Sequence, residues 1–157
     1  MTHLMALSIS TGILCGVWTQ FGDSIGLIAW AGFAGCTTYF AVGKYGLEGF
    51  FTAIRQNIFG ICCGMTIIIL CNYFPFAAAP FVFGGLLSFV LCIAGKFKYL
   101  SYVPGSFIGC FTTFAGGGDW KILIPSLIVG AFLGLSCDVG GKWLFSILGK
   151  SEVEEQN

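Results

Sequence analysis

The stretch FAGCTTYFAVG at positions 33–43 returns as FIGCFTTFAGG at positions 107–117. Seven of the eleven aligned positions are identical, and the two copies lie 74 residues apart in a chain of 157. The same offset aligns three further identical pairs, which are Ile54 with Ile128, Gly60 with Gly134 and Cys63 with Cys137. Self-similarity at a fixed spacing is the mark of an internal repeat. The sequence therefore predicts two homologous halves.

The composition places both halves in a lipid bilayer. Apolar residues make up 57% of the chain and charged residues only 9%, and the mean hydropathy is +0.92. A soluble domain carries roughly 25% charged residues. In lipid every backbone polar group must be satisfied internally, and the apolar runs lack the alternation of barrel strands. The predicted fold class is all-α integral membrane.

Six apolar segments are predicted to form transmembrane helices of about the length that a bilayer requires. They cover positions 4–21, 25–42, 50–74, about 78–95, 103–115 and 122–147. In this single membrane domain, repeat one runs from about 4 to 74 and repeat two from about 78 to 148. A polar cytoplasmic tail follows at 149–157. The fifth segment is short, and a re-entrant fifth segment would leave five spans instead of six.

The basic residues predict the orientation, because Lys and Arg are enriched in cytoplasmic loops. With six spans and a cytoplasmic N-terminus, six of the seven basic residues face the cytoplasm and only Lys121 faces outward. Both termini are therefore predicted to be cytoplasmic. Each half crosses the membrane an odd number of times, three, so the second half enters the membrane from the face opposite to the first. The two three-helix repeats are predicted to be inverted, as in many transporters.

The repeated phrase supplies the candidate pore residues, because short or glycine-interrupted segments in matching halves mark transporter sites. Two threonines offer hydroxyls, four phenylalanines offer flat walls, and four glycines shape the path. These residues are Phe33, Gly35, Thr38, Phe40 and Gly43 in repeat one, with Phe107, Gly109, Thr112, Phe114 and Gly117 in repeat two. Such a lining suits a small uncharged solute rather than an ion. Each threonine alone is also typical of a packing residue that bonds back to its own helix.

Other polar residues within the predicted spans are functional candidates as well. Arg55, Gln56 and Asn57 begin the third span, and we expect them at the membrane interface. Asp138 and Lys142 are four residues apart, which puts them on one helical face as an ion pair. A structural pair near the cytoplasmic end is favoured here over a proton relay.

The sequence argues against several classes of function. It contains no catalytic triad, phosphate-binding loop or zinc-protease motif, so we expect no enzyme activity, cofactor or metal. The eight cysteines lie in apolar stretches without a C-x-x-C pair, which is typical of packing residues. With no net charge and no basic patch, nucleic acid is not an expected partner. The expected partners are the lipid bilayer, a small solute and, from the Gly12 and Gly16 spacing, a second copy of the chain.

Three segments resemble a known family. They are TGILCGVW at 11–18, LIAWAGFAGCTTYFA at 27–41 and VPGSFIGCFTTFAGGGDWKILIPSLIVGAFLG at 103–134. They closely resemble a family of bacterial inner-membrane proteins that is named only as a domain of unknown function. The resemblance covers most of the chain and is weakest in the third span, the following turn and the tail. It implies a multi-pass protein of a Gram-negative inner membrane, and it supplies no substrate, catalytic residue or cofactor.

Two hypotheses for function follow from the sequence. The leading one is a channel or facilitator for a small uncharged solute, with a pore formed between two inverted repeats. The alternative is a non-transporting membrane assembly or accessory protein. No carboxylate is convincingly placed for proton coupling, which favours passive conduction over secondary transport.

Overall fold

A computed structural model describes residues 1–149, and the predicted polar tail beyond Gly149 lies outside the described residues. The described part is helical and contains no strand. Its six helices are α1 (His3–Phe21), α2 (Ala29–Ala41), α3 (Gly46–Tyr73), α4 (Ala79–Ala94), α5 (Val103–Ala115) and α6 (Trp120–Leu148). Two short 3-10 turns, Asp23–Ile25 and Lys98–Leu100, precede α2 and α5. The all-α prediction is confirmed.

The helices fall into two length classes. Among residues 1–149, three helices (α1, α3 and α6) are long and apolar enough to cross a bilayer. The 28 residues of α3 extend about 42 Å, against a hydrocarbon core of about 30 Å. By contrast α4 has 16 residues, and α2 and α5 have 13 each, which gives about 20 Å. The fifth segment therefore has the short length that the sequence predicted.

The second helix begins later than predicted, at Ala29 instead of position 25. Asp23–Ile25 form a 3-10 turn that ends at Gly26, where φ is +77°. The Ala29 N–H donates to Asp23 Oδ1 at 2.9 Å, and the Trp18 indole donates to the Ala29 carbonyl at 2.9 Å. These two bonds fix the start of α2 and account for its shorter length.

The bounds of the helices repeat with the offset of the sequence. Helix α5 begins and ends 74 residues after α2 (29 to 103, 41 to 115), and α6 begins 74 residues after α3 (46 to 120). Beyond the ends of α2 and α5 lie the equivalent glycines Gly43 and Gly117, with φ of +69° and +63°. Glycine adopts such angles without steric cost, so both short helices end in the same way.

Each short helix packs on a long helix from the other half of the chain. The most extensive helix pairs are α2 with α6 and α3 with α5, and α1 and α4 lie against α6 and α3. Glycines permit this packing, since a Cβ at Gly35 would collide with the Leu127 carbonyl and one at Gly109 with the Asn57 carbonyl. Small residues allow the same close approach in other membrane helix pairs.

Candidate functional site

The four phenylalanines predicted to line a pore lie on the outer surface of the bundle. Phe33, Phe40, Phe107 and Phe114 are between 36% and 47% exposed. They face outward because α2 and α5 turn their glycine faces, around Gly35 and Gly109, toward the long helices. Phe107 and Phe114 line one outer groove and Phe40 lines another, so the four phenylalanines do not meet in one cavity.

Outward-opening grooves accommodate some of these phenylalanines. A groove of about 350 Å³ is lined by residues of α3, α4 and α5, including Gly84, Phe107 and Phe114. A second groove, of about 500 Å³, lies between α1 and α2 and includes Gly12 and Phe40. Both are largely apolar openings on the lipid side of the bundle. The phenylalanines therefore line outer grooves and not a path through the bundle.

The two equivalent threonines are fully buried, but in different surroundings. The Thr112 hydroxyl donates to the Gly109 carbonyl of its own helix at 2.9 Å. The Thr38 hydroxyl lies 3.0 Å from the Ala34 carbonyl and 3.0 Å from Asn57 Oδ1 of α3. Neither threonine lines the grooves described above. Thr112 therefore behaves as a packing residue, whereas Thr38 contacts Asn57, which was expected at the membrane interface.

Gln56 and Asn57, which were expected at the membrane interface, are buried inside the helix bundle. Helix α3 begins at Gly46, four residues before the predicted start, so positions 56 and 57 lie near its middle. Gln56 is 0% and Asn57 1% exposed. Arg55 alone remains exposed, with its guanidinium 5.6 Å from the centre of the Tyr99 ring.

Gln56 caps the start of α5. With its amide oriented for hydrogen bonding, Nε2 donates to Ser106 Oγ at 2.6 Å and to the Tyr102 carbonyl at 3.3 Å. Oε1 then accepts from the Tyr102 N–H at 3.1 Å. Tyr102 is the residue that precedes the first turn of α5. Through Oε1, Gln56 thus satisfies a backbone N–H at the start of the helix, where N–H groups have no partner within the helix.

Asn57 is only partly satisfied. Within residues 1–149 its Nδ2 atom has no hydrogen-bond partner. The single proton of the Thr38 hydroxyl can serve either the Ala34 carbonyl or Asn57 Oδ1, but not both. If the amide is rotated so that Nδ2 donates to Thr38, Oδ1 loses its donor instead. Either orientation leaves a polar atom of Asn57 unpaired, at a cost of about 1–3 kcal/mol.

Thr38, Gln56, Asn57 and Ser106 form what we call the central polar cluster. It lies where α2 and α3 of the first half meet α5 of the second half. Gly105 closes the contact, because a Cβ there would lie 2.9 Å from Gln56 Cβ and 2.9 Å from Thr38 Cγ2. The cluster has hydroxyl and amide groups and no ionisable side chain, so it is suited to neutral hydrogen-bonding groups.

A second polar network is centred on α6. The predicted ion pair is confirmed, with Lys142 Nζ 2.8 Å from Asp138 Oδ2. Asp138 is 3% exposed and also accepts from the Tyr39 hydroxyl at 3.0 Å. That hydroxyl accepts from the Gly46 N–H at 3.0 Å, and Lys142 lies 5.0 Å from the centre of the Tyr45 ring. The network joins α2, α6 and the first residue of α3.

Buried cysteines pack across both major interfaces. Cys36 and Cys137 share a core cluster between α2 and α6, and Cys63 and Cys110 share one between α3 and α5. The two pairs are equivalent under the offset of 74, since Cys110 is the counterpart of Cys36 and Cys137 is the counterpart of Cys63. Among residues 1–149, no group of three or more His, Cys, Asp or Glu is arranged to hold a metal ion.

Comparison with known proteins gives the family. Residues 8–142 match the family described as protein of unknown function (DUF1097). The chain is 40% identical to the inner membrane protein YcdZ of Escherichia coli (strain K12), over 99% of this chain and 96% of that protein. It is 40% identical to YcdZ of Salmonella typhimurium, over 93% and 92%, and 24% identical to the uncharacterized protein YahC of Escherichia coli (strain K12), over 92% and 94%. No solved structure matches. With its long apolar helices and these relatives, the chain is a membrane protein, and it belongs to the DUF1097 family.

Proposed function

We propose that this protein crosses the inner membrane six times as two inverted three-helix halves and acts as a facilitator for a small uncharged solute. An in-plane two-fold axis would exchange α2 with α5 and α3 with α6. The α2–α6 contact would then become the α5–α3 contact, and α1–α6 would become α4–α3. The helix pairs in the structure have this pattern, which supports two-fold-related halves, and three crossings in each half would make them inverted.

Equivalent residues support the same symmetry. Gly35 approaches a carbonyl of α6, and its counterpart Gly109 approaches a carbonyl of α3. The two cysteine pairs at the α2–α6 and α3–α5 interfaces also exchange under the axis. Inverted repeats of transporters place their sites at the repeat interface near the bilayer midplane. With six spans, the basic residues favour cytoplasmic termini.

The observation that carries the function is the central polar cluster at the junction of the halves. An incompletely satisfied amide buried among membrane helices is costly to retain, and such intramembrane polar groups mark pathways. The cluster carries no charge, which favours a neutral solute. Because Thr38 and Asn57 are buried, conduction requires a relative movement of α2 or α5 against α3. Rocking of one repeat against the other is the usual form of such a movement.

Stopped-flow light scattering of proteoliposomes tests this proposal. The solute panel is urea, glycerol, short amides, ammonia and short-chain acids, with empty liposomes as the baseline. We expect faster entry of at least one neutral solute. Rates equal to those of empty liposomes for every solute would contradict the facilitator and favour the second candidate function.

The second candidate is a non-transporting assembly or accessory protein. It is favoured by the outer face of α1, where a Cβ added at Gly12 or Gly16 would meet nothing within 4 Å. Small residues spaced by four on an open membrane helix permit close helix association, including with a second copy. Under this alternative, Gly12→Leu with Gly16→Leu would abolish co-purification of the chain with its neighbours. For a monomeric facilitator, the same double variant would leave solute flux unchanged.

A further inference from the structure

The Asn57 carboxamide presents one edge that its protein neighbours leave partly unused. Its Nδ2 atom has no partner within residues 1–149. Its Oδ1 atom lies 3.0 Å from the Thr38 hydroxyl, but a carbonyl oxygen has two lone pairs and accepts a second bond. The side chain is 1% exposed, so bulk water does not satisfy this edge in the described conformation. Asn57 thus has an unpartnered donor, Nδ2, next to an acceptor, Oδ1, that has one contact and can accept one more bond.

We infer that Asn57 selects the solute and that the solute is a small primary amide or urea, which deepens the facilitator proposed above and rests on it. A carboxamide carries an adjacent carbonyl and N–H, so it pairs with the edge of Asn57 through two parallel hydrogen bonds. Paired bonds of an Asn amide discriminate strongly elsewhere, as in adenine recognition. An alcohol supplies a single-atom contact, and an ion would bring a charge that the central polar cluster does not neutralise.

The same pairing works for both orientations of the Asn57 amide. If Nδ2 is free, it donates to the solute carbonyl, and if Oδ1 is free, it accepts from the solute N–H. A solute that both donates and accepts across adjacent atoms is therefore complementary in each case. No bond is made or broken in this recognition, and the solute leaves unchanged.

Within residues 1–149 such a site occurs in repeat one, because Asn57 Nδ2 is the unpartnered buried side-chain atom there. The repeat counterpart of Asn57 is Ala131 and that of Gln56 is Gly130, 74 residues further along. At the counterpart position, Gly130 instead approaches the backbone of Gly32. The atoms nearest to a Cβ added at Gly109 are backbone atoms of Asn57. Asn57→Ala therefore introduces into repeat one the alanine that repeat two has at position 131. It keeps the backbone contact between Asn57 and Gly109.

The direct test is NMR of the full chain, with side-chain amides labelled with nitrogen-15, in lipid nanodiscs. Acetamide and urea are titrated, with ethanol as a solute that lacks the paired edge. We expect a saturable shift of the Asn57 NH₂ resonances, one molecule bound per chain and no shift with ethanol. Asn72, which is exposed on the same helix, is the internal control, and Asn72→Ala is the matched variant.

Flux through proteoliposomes gives the second readout. Asn57→Ala is expected to lower the facilitated flux of acetamide about tenfold, while Asn72→Ala leaves it unchanged. Asn57 resonances that stay in place with acetamide and urea would overturn the inference, and so would unchanged amide flux in Asn57→Ala. Facilitated flux of another solute with unmoved Asn57 resonances would refute the inference and keep the facilitator. A saturable shift of the Asn57 resonances without any facilitated flux would support amide binding at Asn57 and refute the facilitator.

Discussion

Tyr39 on α2 donates a hydrogen bond of 3.0 Å to Asp138 on α6, and so joins the second helix of one half to the third helix of the other. The same hydroxyl accepts from the Gly46 N–H, which begins α3. The short turn between α2 and α3 is thereby fixed to the opposite half. Asp138 is almost fully buried, and Lys142 compensates its charge. The network is a polar anchor between the halves, separate from the central polar cluster.

Removal of the Tyr39 hydroxyl should weaken this anchor. Tyr39→Phe keeps the ring but leaves the Gly46 N–H without its acceptor and removes one donor from Asp138. We expect a loss of about 1–3 kcal/mol in the free energy of unfolding. Tyr45→Phe is the matched control, because Tyr45 is 69% exposed and a phenylalanine ring still faces Lys142. Thermal unfolding in detergent measures both, and equal midpoints for the two variants would contradict this role of Tyr39.

The glycine contacts between the halves should not tolerate a methyl group. In Gly109→Ala the new Cβ collides with the Asn57 carbonyl, and overpacking of this kind costs about 1–3 kcal/mol. Gly12→Ala is the control, since its Cβ meets open space and alanine is favoured over glycine in a helix by about 1 kcal/mol. Unfolding midpoints should therefore move in opposite directions. A stable Gly109→Ala variant would show that α3 and α5 are not as closely packed as described.

The cap that Gln56 provides should control the order of the start of α5. Gln56→Leu leaves the Tyr102 N–H and the Ser106 hydroxyl without this partner, and we expect a loss of about 1–3 kcal/mol. Hydrogen exchange should increase for the backbone amides at positions 102–106. Asn72→Leu, at an exposed position near the end of the same helix, is the control and should leave this exchange unchanged. Unaltered protection in Gln56→Leu would contradict the cap.

The six-span topology makes a prediction about native lysines. Lys44, Lys96 and Lys98 should lie in the cytoplasm and Lys121 outside. A membrane-impermeant amine reagent, applied to spheroplasts and to inverted vesicles, should label Lys121 only in the former and the other three only in the latter. Mass spectrometry of the peptides reads the result. Labelling of Lys121 from the cytoplasmic side would indicate a re-entrant α5 and five spans.

Much of the helical framework follows from local sequence. Apolar runs interrupted by glycine, proline and polar turns predicted all six helices, and Val103–Ala115 matches the predicted fifth segment at both ends. The start of α2 was misplaced because the Asp23 cap forms only when the turn folds back on Ala29. The start of α3 was placed too late because GLEG at 46–49 was interpreted as loop. That shift places Gln56 and Asn57 about one turn further into α3 than predicted.

The faces of the short helices could not be predicted from hydropathy. Phe33 and Gly35 are both acceptable to lipid and to a protein interior, and close backbone approach decides which side packs. The Tyr39–Asp138 bond joins residues 99 positions apart, so no local pattern indicates it. The equivalence of Thr38 and Thr112 predicted a shared role, but only Thr38 has an amide opposite its hydroxyl, because the counterpart of Asn57 is Ala131.

That difference between the two threonines provides the most direct test of the facilitator. Stopped-flow flux of the fastest neutral solute is compared in proteoliposomes of the wild type, Thr38→Val and Thr112→Val. Valine keeps the shape of the side chain and removes the hydroxyl. We predict that Thr38→Val slows facilitated flux about fivefold, from the loss of roughly 1 kcal/mol of hydrogen bonding at the central polar cluster, and that Thr112→Val leaves it unchanged. Equal rates in both variants, or wild-type rates no faster than empty liposomes, would contradict a path through the central polar cluster.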